Sequence, residues 1–302
     1  MASPQLQSII QMLRSRPIAE TAPSPEEARA MFENLAAIYP VSADVKREKA
    51  DADGVPGEWI MPPGVSGETT IFYIHGGAWM IGSVNTHARL IANICAAADA
   101  RAFAIDYRLA PENPYPAGLD DCLTAYRWLL AQGTDPARLV IAGDSAGGNL
   151  TLATLLRLRD EGGPLPAAAV ALSPATDMTM SGESMRTRNE ADPMLDSEGT
   201  PQVREAYCAG QDLKDPYISP LFGDLAGWPP LLIQVGDAEI LLDDATRFAK
   251  RAEEAGVDIT LEVWDEMIHV FQFFAPMLPE ATEAIAVIGK FVKSHVGAKT
   301  PA

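Results

Sequence analysis

Basic residues are scarce in this chain of 302 residues. It has 23 Lys and Arg against 41 Asp and Glu, which gives a formal net charge of −18 at pH 7. A surface of this sign repels nucleic acids and anionic lipids, and the chain has no basic cluster of the kind that nucleic-acid-binding proteins use. We therefore expect neither a nucleic-acid partner nor a membrane partner.

Cysteines and long apolar runs are scarce as well. The three cysteines, Cys95, Cys122 and Cys208, are odd in number and far apart, which fits neither a disulfide framework nor a zinc site. Since no other His, Cys and carboxylate group has metal spacing, we expect no metal and no cofactor. No window approaches the ~20 apolar residues of a membrane span, and residues 1–17 lack the pattern of a secretory signal. The expected location is cytoplasmic.

Short apolar runs alternate with helical patterns over most of the chain. Asp53-Gly54 is a strong hairpin signal between Val45–Ala50 and Val55–Met61. The further predicted strands are Thr70–Ile74, Ala102–Ile105, Leu139–Ala142, Ala168–Leu172, Leu231–Val235 and Ile259–Val263. The predicted helices are Val84–Ala98, Gly118–Ala131, Gly147–Asp160, Leu241–Ala255 and Glu280–His295. This alternation predicts an α/β fold whose mainly parallel, eight-stranded sheet is covered on both faces and opens with an antiparallel hairpin.

Two regions interrupt the alternation. Residues 1–42 contain two short helical patterns, broken at Arg16-Pro17 and at Pro23-Ser24-Pro25, where Ser24 is a suitable N-cap. Residues 173–230 contain no strand pattern and are too many for an ordinary loop. We interpret 177–220 as a helical cap insert that the N-terminal helices join in space. The catalytic domain would then comprise 43–176 and 221–302.

The strongest functional signal is Gly143-Asp144-Ser145-Ala146-Gly147, which lies between an apolar strand and a helical pattern. This arrangement is typical of a nucleophile elbow, a sharp turn that strains the serine backbone and presents its hydroxyl at the tip of a sheet. The glycines allow strand and helix to approach each other. The N–H of Ala146 would lie where it can bind an oxyanion. The pentapeptide alone is a weak signal, but a second motif supports it.

The second motif is His75-Gly76-Gly77, which follows the strand Thr70–Ile74. Acyl transfer through a tetrahedral intermediate needs two or three donors aimed at the developing oxyanion, and backbone N–H groups serve well. We predict that Gly76, Gly77 and Ala146 form this oxyanion hole. A Gly-Gly pair alone would more simply indicate a turn; its place upstream of an elbow favours the functional interpretation.

Four segments together resemble a known family: His75-Gly76-Gly77, Asp106 to Glu112, Pro116-Ala117 and Gly143 to Asn149. They are similar to the bacterial hormone-sensitive-lipase-like (family IV) carboxylesterases, in the Gly-Asp-Ser-Ala-Gly subgroup. The resemblance extends from about residue 45 to about residue 292. It implies an α/β-hydrolase core, a helical cap and esterase activity on short acyl chains. Because members often form dimers, a homodimer is a further expectation.

A serine hydroxyl needs a neighbouring base, usually histidine, to remove its proton. The chain has four histidines. His75 lies in the Gly-Gly loop, where it would brace the loop, and His87 starts a helix, so both precede the serine; His295 is near the polar C-terminus. His269 alone follows a core strand after the serine, as the order Ser, acid, His requires in this fold. We predict that His269 is the base.

The acid is expected after the strand Leu231–Val235, where four carboxylates compete. Asp243 and Asp244 open a helix and are explained as favourable charges near its N-terminus. Asp237 follows a glycine and could serve as a turn residue.

The family pattern decides between the remaining two carboxylates. Counting back from the ending at residues 241–244 gives Glu239, one methylene longer than the usual aspartate. We therefore predict Glu239 rather than Asp237 as the acid, with its carboxylate within hydrogen-bond reach of the His269 nitrogen that faces away from Ser145.

Substrate-pocket residues are predicted from position only. The candidates are Trp79, Asp144, Met194, Leu195, Phe222 and Ile268. Ordinary core packing explains the apolar ones about as well, and Asp144 could hydrogen-bond across the site.

These residues predict a serine carboxylesterase that hydrolyses short-chain esters through an acyl-enzyme. An amidase or a lactonase would use the same groups. A true lipase would need a large exposed apolar surface, which the acidic charge disfavours. A binding protein on this fold, such as the plant gibberellin receptors, lacks the catalytic histidine, whereas His269 is present here.

Overall fold

The fold is built on one eight-stranded sheet. A computed structural model describes residues 3–15 and 23–297; the predicted break at Arg16-Pro17 lies outside them. The strand order is β1-β2-β4-β3-β5-β6-β7-β8. The strands are β1 Lys46–Ala52, β2 Val55–Met61, β3 Thr69–Ile74, β4 Ala100–Ile105, β5 Leu139–Asp144, β6 Ala168–Leu172, β7 Leu231–Gly236 and β8 Ile259–Trp264. β2 pairs antiparallel with both β1 and β4, and β3 to β8 run parallel.

The central strands are covered on both faces. Every residue of β3, β5, β6 and β7 is buried, which is why these strands are apolar without alternation. The helices are α1 Pro4–Arg14, α2 Pro25–Ile38, α3 Val84–Ala98, α4 Ala117–Ala131, α5 Ala146–Asp160, α6 Ser184–Thr187, α7 Thr200–Cys208, α8 Leu242–Glu254 and α9 Pro279–His295. One apolar cluster includes α4, α5 and α8, and the other includes α1, α3 and α9. The predicted α/β-hydrolase architecture, with its opening hairpin, is confirmed.

The segment from 177 to 220, which contains α6 and α7, leaves and rejoins the core at one place. The Nδ2 of Asn149, in the second turn of α5, donates to the carbonyls of Ala175 (2.8 Å) and Ile218 (3.0 Å). The amide of Leu221 donates to the carbonyl of Thr176. Both ends of the segment are therefore anchored to the helix that follows Ser145.

The two N-terminal helices attach differently. α1 buries Leu6, Ile9 and Leu13 against the core, and Arg14 donates to two carbonyls of the 177–220 segment. α2 begins with the predicted Ser24 cap, which forms a capping box with Glu27. None of the 14 residues of α2, all of them described, is buried.

Candidate active site

Ser145 occupies a strained turn between β5 and α5. Its φ of 53° and ψ of −118° lie outside the ordinary regions. A Cβ on Gly147 would lie 2.1 Å from the carbonyl oxygen of Ile74, and one on Gly143 would lie 2.4 Å from the carbonyl oxygen of Gly147. Glycine is therefore required on both sides of the serine, as the predicted elbow demands.

The carboxyl ends of β5, β7 and β8 bring three side chains together. The Oγ of Ser145 lies 3.0 Å from His269 Nε2. His269 Nδ1 lies 2.7 Å from Glu239 Oε2. Glu239 is fully buried and His269 is almost so. The predicted contact between Glu239 and the far ring nitrogen is confirmed.

Glu239 is held by its second oxygen. Oε1 accepts hydrogen bonds from Ser173 Oγ (2.8 Å) and the amide of Gly236 (2.7 Å). The Oγ of Ser173 in turn accepts from the amide of Val270, next to His269. Ser173, which follows β6, had no sequence signal because its contacts come from two distant segments.

Asp237, the rival carboxylate, has a different partner from Glu239. Its Oδ1 accepts the amide of Glu266 at 2.7 Å, so it closes a turn, as the alternative interpretation proposed.

The environment of His269 favours its charged form. Burial disfavours the imidazolium, but the charge and hydrogen bond of Glu239, together with the charges of Asp192 and Asp144, outweigh burial and raise the pKa of His269 above its ordinary value. A base of this kind takes a serine proton readily and is then stabilised as a cation by Glu239.

The predicted oxyanion hole needs a correction. The amide of Gly76 donates to Asp144 Oδ1 at 3.2 Å, so it is already engaged. The amides of Gly77, Ala78 and Ala146 donate to no group within the described part of the chain. Ala78, one residue beyond the predicted pair, therefore replaces Gly76 among the available donors.

Asp144 supports this loop from below and does not line a pocket. It is buried, and besides Gly76 it accepts the hydroxyl of Tyr73 (2.8 Å) and lies 3.4 Å from His87 Nε2. Burial alone would raise its pKa, but His87 and the hydrogen bonds lower it. The hydrogen bond to Gly76 agrees with the alternative that Asp144 hydrogen-bonds across the site, and its burial removes it from the pocket surface.

His75 braces the same loop, as predicted. Its Nδ1 donates to the carbonyl of Gly76 at 2.7 Å, and its ring stacks on Tyr107. Burial, reinforced by nearby His87, lowers the pKa of His75 to about 3, so this ring is neutral.

Two of the other predicted pocket residues pack against the hydrophobic core. Ile268 is fully buried in the core cluster of α1, α3 and α9. Phe222 precedes Gly223, which packs on Leu156, and Leu156 is roughly 16 Å along α5 from Ser145 at 1.5 Å per residue. The prediction for Ile268 is wrong, because its side chain is fully buried in the core although it precedes His269; Phe222 stays a prediction.

The remaining predicted pocket residues stay at the site's borders. Trp79 is buried and its ring stacks on Tyr207 of α7, with centroids 4.4 Å apart. Met194 and Leu195 are held by Asp192, which accepts both their amides and also the amide of Ile240 beside the acid. Met194 is 42% exposed.

The described residues contain no metal-ligand cluster and no membrane-spanning helix. Across residues 3–15 and 23–297, no three His, Cys, Asp or Glu side chains group as ligands of an ion. No helix in the same ranges is long and apolar enough to cross a membrane. The three cysteines are buried and unpaired.

The chain is similar to a family of known proteins. The family model for the α/β hydrolase fold matches residues 71–273, and the chain belongs to that family. It is 45% identical to an acetyl-hydrolase of Streptomyces hygroscopicus over 240 residues, 80% of each chain. It is 38% identical to an esterase of Acinetobacter venetianus, covering 90% of this chain and 89% of the other.

Two solved structures are similar to this chain over nearly its whole length. An esterase of the bacterial hormone-sensitive lipase family is 46% identical, with a TM-score of 0.94 over 98% of this chain and 100% of that one. The esterase EstE5, solved after soaking with p-nitrophenyl butyrate, is 43% identical, with a TM-score of 0.94 over 97% and 99% of the two chains. This chain therefore stands with the bacterial hormone-sensitive-lipase-type esterases.

Proposed function

We propose that this carboxylic ester hydrolase cleaves short-chain acyl esters, with Ser145 as nucleophile, and that it belongs to the Gly-Asp-Ser-Ala-Gly subgroup. The observation that carries the proposal is the hydrogen-bonded series from Ser145 through His269 to Glu239. Its order along the chain, Ser, acid, His, is that of the α/β-hydrolases.

The geometry supports a two-step reaction. Ser145 Oγ attacks the ester carbonyl while His269 Nε2 takes its proton, and the carbonyl π electrons move to the oxygen. The amides of Gly77, Ala78 and Ala146 bind this oxyanion. The intermediate collapses when His269 gives its proton to the leaving alcohol. Water then attacks the acyl-enzyme by the same route and releases the acid and Ser145.

The preference for short chains rests on the resemblance and on a cap. The 177–220 segment, with the N-terminal helices, is proposed as the cap over the acyl site. The ring of Trp79 stacks on Tyr207 of α7. Asp192, which accepts the amides of Met194 and Leu195, also accepts the amide of Ile240, next to Glu239. Names of relatives agree: one is an acetyl-hydrolase, and EstE5 was soaked with a butyrate ester. Homodimer formation and a cytoplasmic location stay predictions from the sequence.

The test is hydrolysis of p-nitrophenyl esters from acetate to laurate by the wild type and by Ser145→Ala. We expect the variant to lose activity by about 10⁴- to 10⁶-fold with an unchanged circular dichroism spectrum, because only a hydroxyl is removed. The wild type should prefer about four to six acyl carbons. Near-native turnover by Ser145→Ala would refute the nucleophile, and a steady rise in kcat/KM toward laurate would favour a lipase.

A further inference from the structure

The loop that carries two of the oxyanion donors is strained. Gly77 has φ 114°, and the next two residues, Ala78 and Trp79, have φ of 55° and 58°. L-amino acids avoid this region, and two in succession persist only where the surroundings hold them. Within the turn, the amides of Met80 and Ile81 both donate to the carbonyl of Gly77. Hydrogen bonds from other segments of the chain add to these two.

The guanidinium group of Arg29 supplies some of these hydrogen bonds. Arg29 in α2 donates through Nε to the carbonyl of Met80 (2.8 Å) and through Nη2 to the carbonyl of Ala110 (2.9 Å). The amide of Ala110 donates to the carbonyl of Trp79 at 2.9 Å. Arg29 thus completes a closed set of hydrogen bonds around Trp79 and Met80.

Glu112 fixes the orientation of that guanidinium. Its two oxygens accept from Arg29 Nη1 at 3.0 Å and Nη2 at 2.6 Å. A planar guanidinium that a carboxylate holds through two of its nitrogens has its remaining N–H bonds in set directions. Arg29 is therefore oriented before it meets the two carbonyls.

Because α2 has no buried residue, the contacts of Arg29 do more than attach the helix. Met31 and Ile38 are 62% and 63% exposed, and the ring of Phe32 meets His87 only edge-on. Besides Arg29, Glu33 accepts from Ser83 and Asn85 at the start of α3. Since α2 buries so little, the strong polar contacts of Arg29 are directed at the loop and not at a packed helix interface.

We propose that Arg29 is a positioning residue for ester hydrolysis: it holds the loop of residues 77–80 so that the amides of Gly77 and Ala78 point at the oxyanion. The proposal rests on the proposed function, because it assigns those amides to the transition state. Arg29 touches no reacting atom and acts through the backbone it holds.

The test compares Arg29→Ala, Arg29→Lys and Glu112→Gln with Arg157→Ala. Arg157 is a matched control, since its side chain is 30% exposed against 28% for Arg29 and pairs with two carboxylates, but it contacts no carbonyl of the loop. Loss of one oxyanion donor lowers kcat about 10²- to 10³-fold. Because the amides are displaced and not deleted, we expect Arg29→Ala to lower kcat about 10- to 100-fold with little change in KM.

The other variants should lose less kcat than Arg29→Ala does. Lysine cannot reach both carbonyls and Glu112 together, so Arg29→Lys should fall between wild type and Arg29→Ala. Glu112→Gln keeps both carbonyl contacts and should lose least. Arg157→Ala should keep the wild-type kcat.

A readout specific to the oxyanion separates positioning from general destabilisation. A trifluoromethyl ketone forms a tetrahedral adduct with Ser145, so its affinity should weaken in Arg29→Ala as kcat does. Binding of the uncleaved ester to Ser145→Ala/Arg29→Ala should stay close to that of Ser145→Ala. Added guanidinium, well below the concentrations that unfold the protein, should restore part of the turnover of Arg29→Ala but none in Arg157→Ala.

Three results would overturn the proposal: an unchanged kcat in Arg29→Ala, an effect confined to KM, or equal losses in Arg29→Ala and Arg157→Ala. If Arg29→Ala does not fold, Arg29→Lys and the ketone affinity decide by the same criteria. Activity retained by Ser145→Ala would instead refute the proposed function, whatever the Arg29 variants show.

Discussion

Replacement of Glu239 by glutamine would test the proposed acid with almost no change in shape. The carboxylate is fully buried and accepts three hydrogen bonds, from His269 Nδ1, Ser173 Oγ and the amide of Gly236. Glutamine removes the charge and turns one acceptor into a donor. The question is which end of the amide faces the histidine.

The surroundings of Glu239 decide that orientation. The amide of Gly236 can only donate, so it keeps the glutamine oxygen on its side. The NH₂ group then faces His269 Nδ1, which must accept, and the ring carries its proton on Nε2, toward Ser145. A ring in this tautomer cannot take the serine proton. The equivalent acid-to-amide change in a serine protease lowers kcat about 10⁴-fold, or about 5 kcal/mol in activation free energy, and we expect a loss near that size.

The assay is steady-state hydrolysis of p-nitrophenyl butyrate, with Asp237→Asn as the matched control. The asparagine oxygen can still accept the amide of Glu266, so the control should change kcat no more than about threefold, as substitutions outside key networks do. Reversed results for Glu239→Gln and Asp237→Asn would assign the acid to Asp237. Wild-type turnover in both variants would refute the proposed role of Glu239 as the acid that orients His269.

Two further predictions concern pH. Burial lowers the pKa of His269, but Glu239, with smaller contributions from Asp192 and Asp144, raises it above the ordinary value, so the rising limb of kcat/KM against pH should lie above about 6.5. Glu239→Gln should move the residual limb to lower pH, and an unmoved limb would assign it to another group. Burial also raises the pKa of Asp244 to about 7 from an ordinary 3.8, so the folded state holds a proton that the unfolded state releases between these values. Stability from this group is therefore full below about pH 4 and is lost as pH rises toward 7. Asp244→Asn should flatten that part of a Tm-against-pH curve, and an identical slope in the variant would contradict the pKa.

Much of the fold and the three central site residues could be predicted from the sequence, because their signals are local. Buried parallel strands appear as apolar runs, and the elbow needs glycines at fixed offsets from Ser145. His269 followed from chain order and from the small number of histidines. The contact between Glu239 and His269 also agreed, although it depended on a family pattern and not on the residues alone.

Which amides of the Gly-Gly loop stay available could not be predicted from the sequence, because this depends on long-range contacts. The Gly-Gly pair indicated flexible backbone but not which amide stays available. Asp144, 68 positions away, accepts the amide of Gly76, and so the amides proposed to bind the oxyanion in this loop are those of Gly77 and Ala78. Ser173 and Arg29 gave no signal for the same reason, since serine and arginine occur everywhere and only the packed structure gives these two their partners.

The strained backbone of this protein collects at one edge of its sheet. Among the described residues, ten besides glycine have positive φ, and six of them lie in loops at the carboxyl ends of the parallel strands: Ala78, Trp79, Ser145, Ser173, Glu266 and Val270. Such residues cost free energy and persist where neighbouring groups over-determine them. Here the neighbours include Asp144, which accepts the amide of Gly76, Glu239, which accepts the hydroxyl of Ser173, and Arg29, which donates to the carbonyl of Met80. Under the proposed mechanism, Glu239 would therefore have two roles, since it orients His269 and also binds Ser173, one of the strained residues.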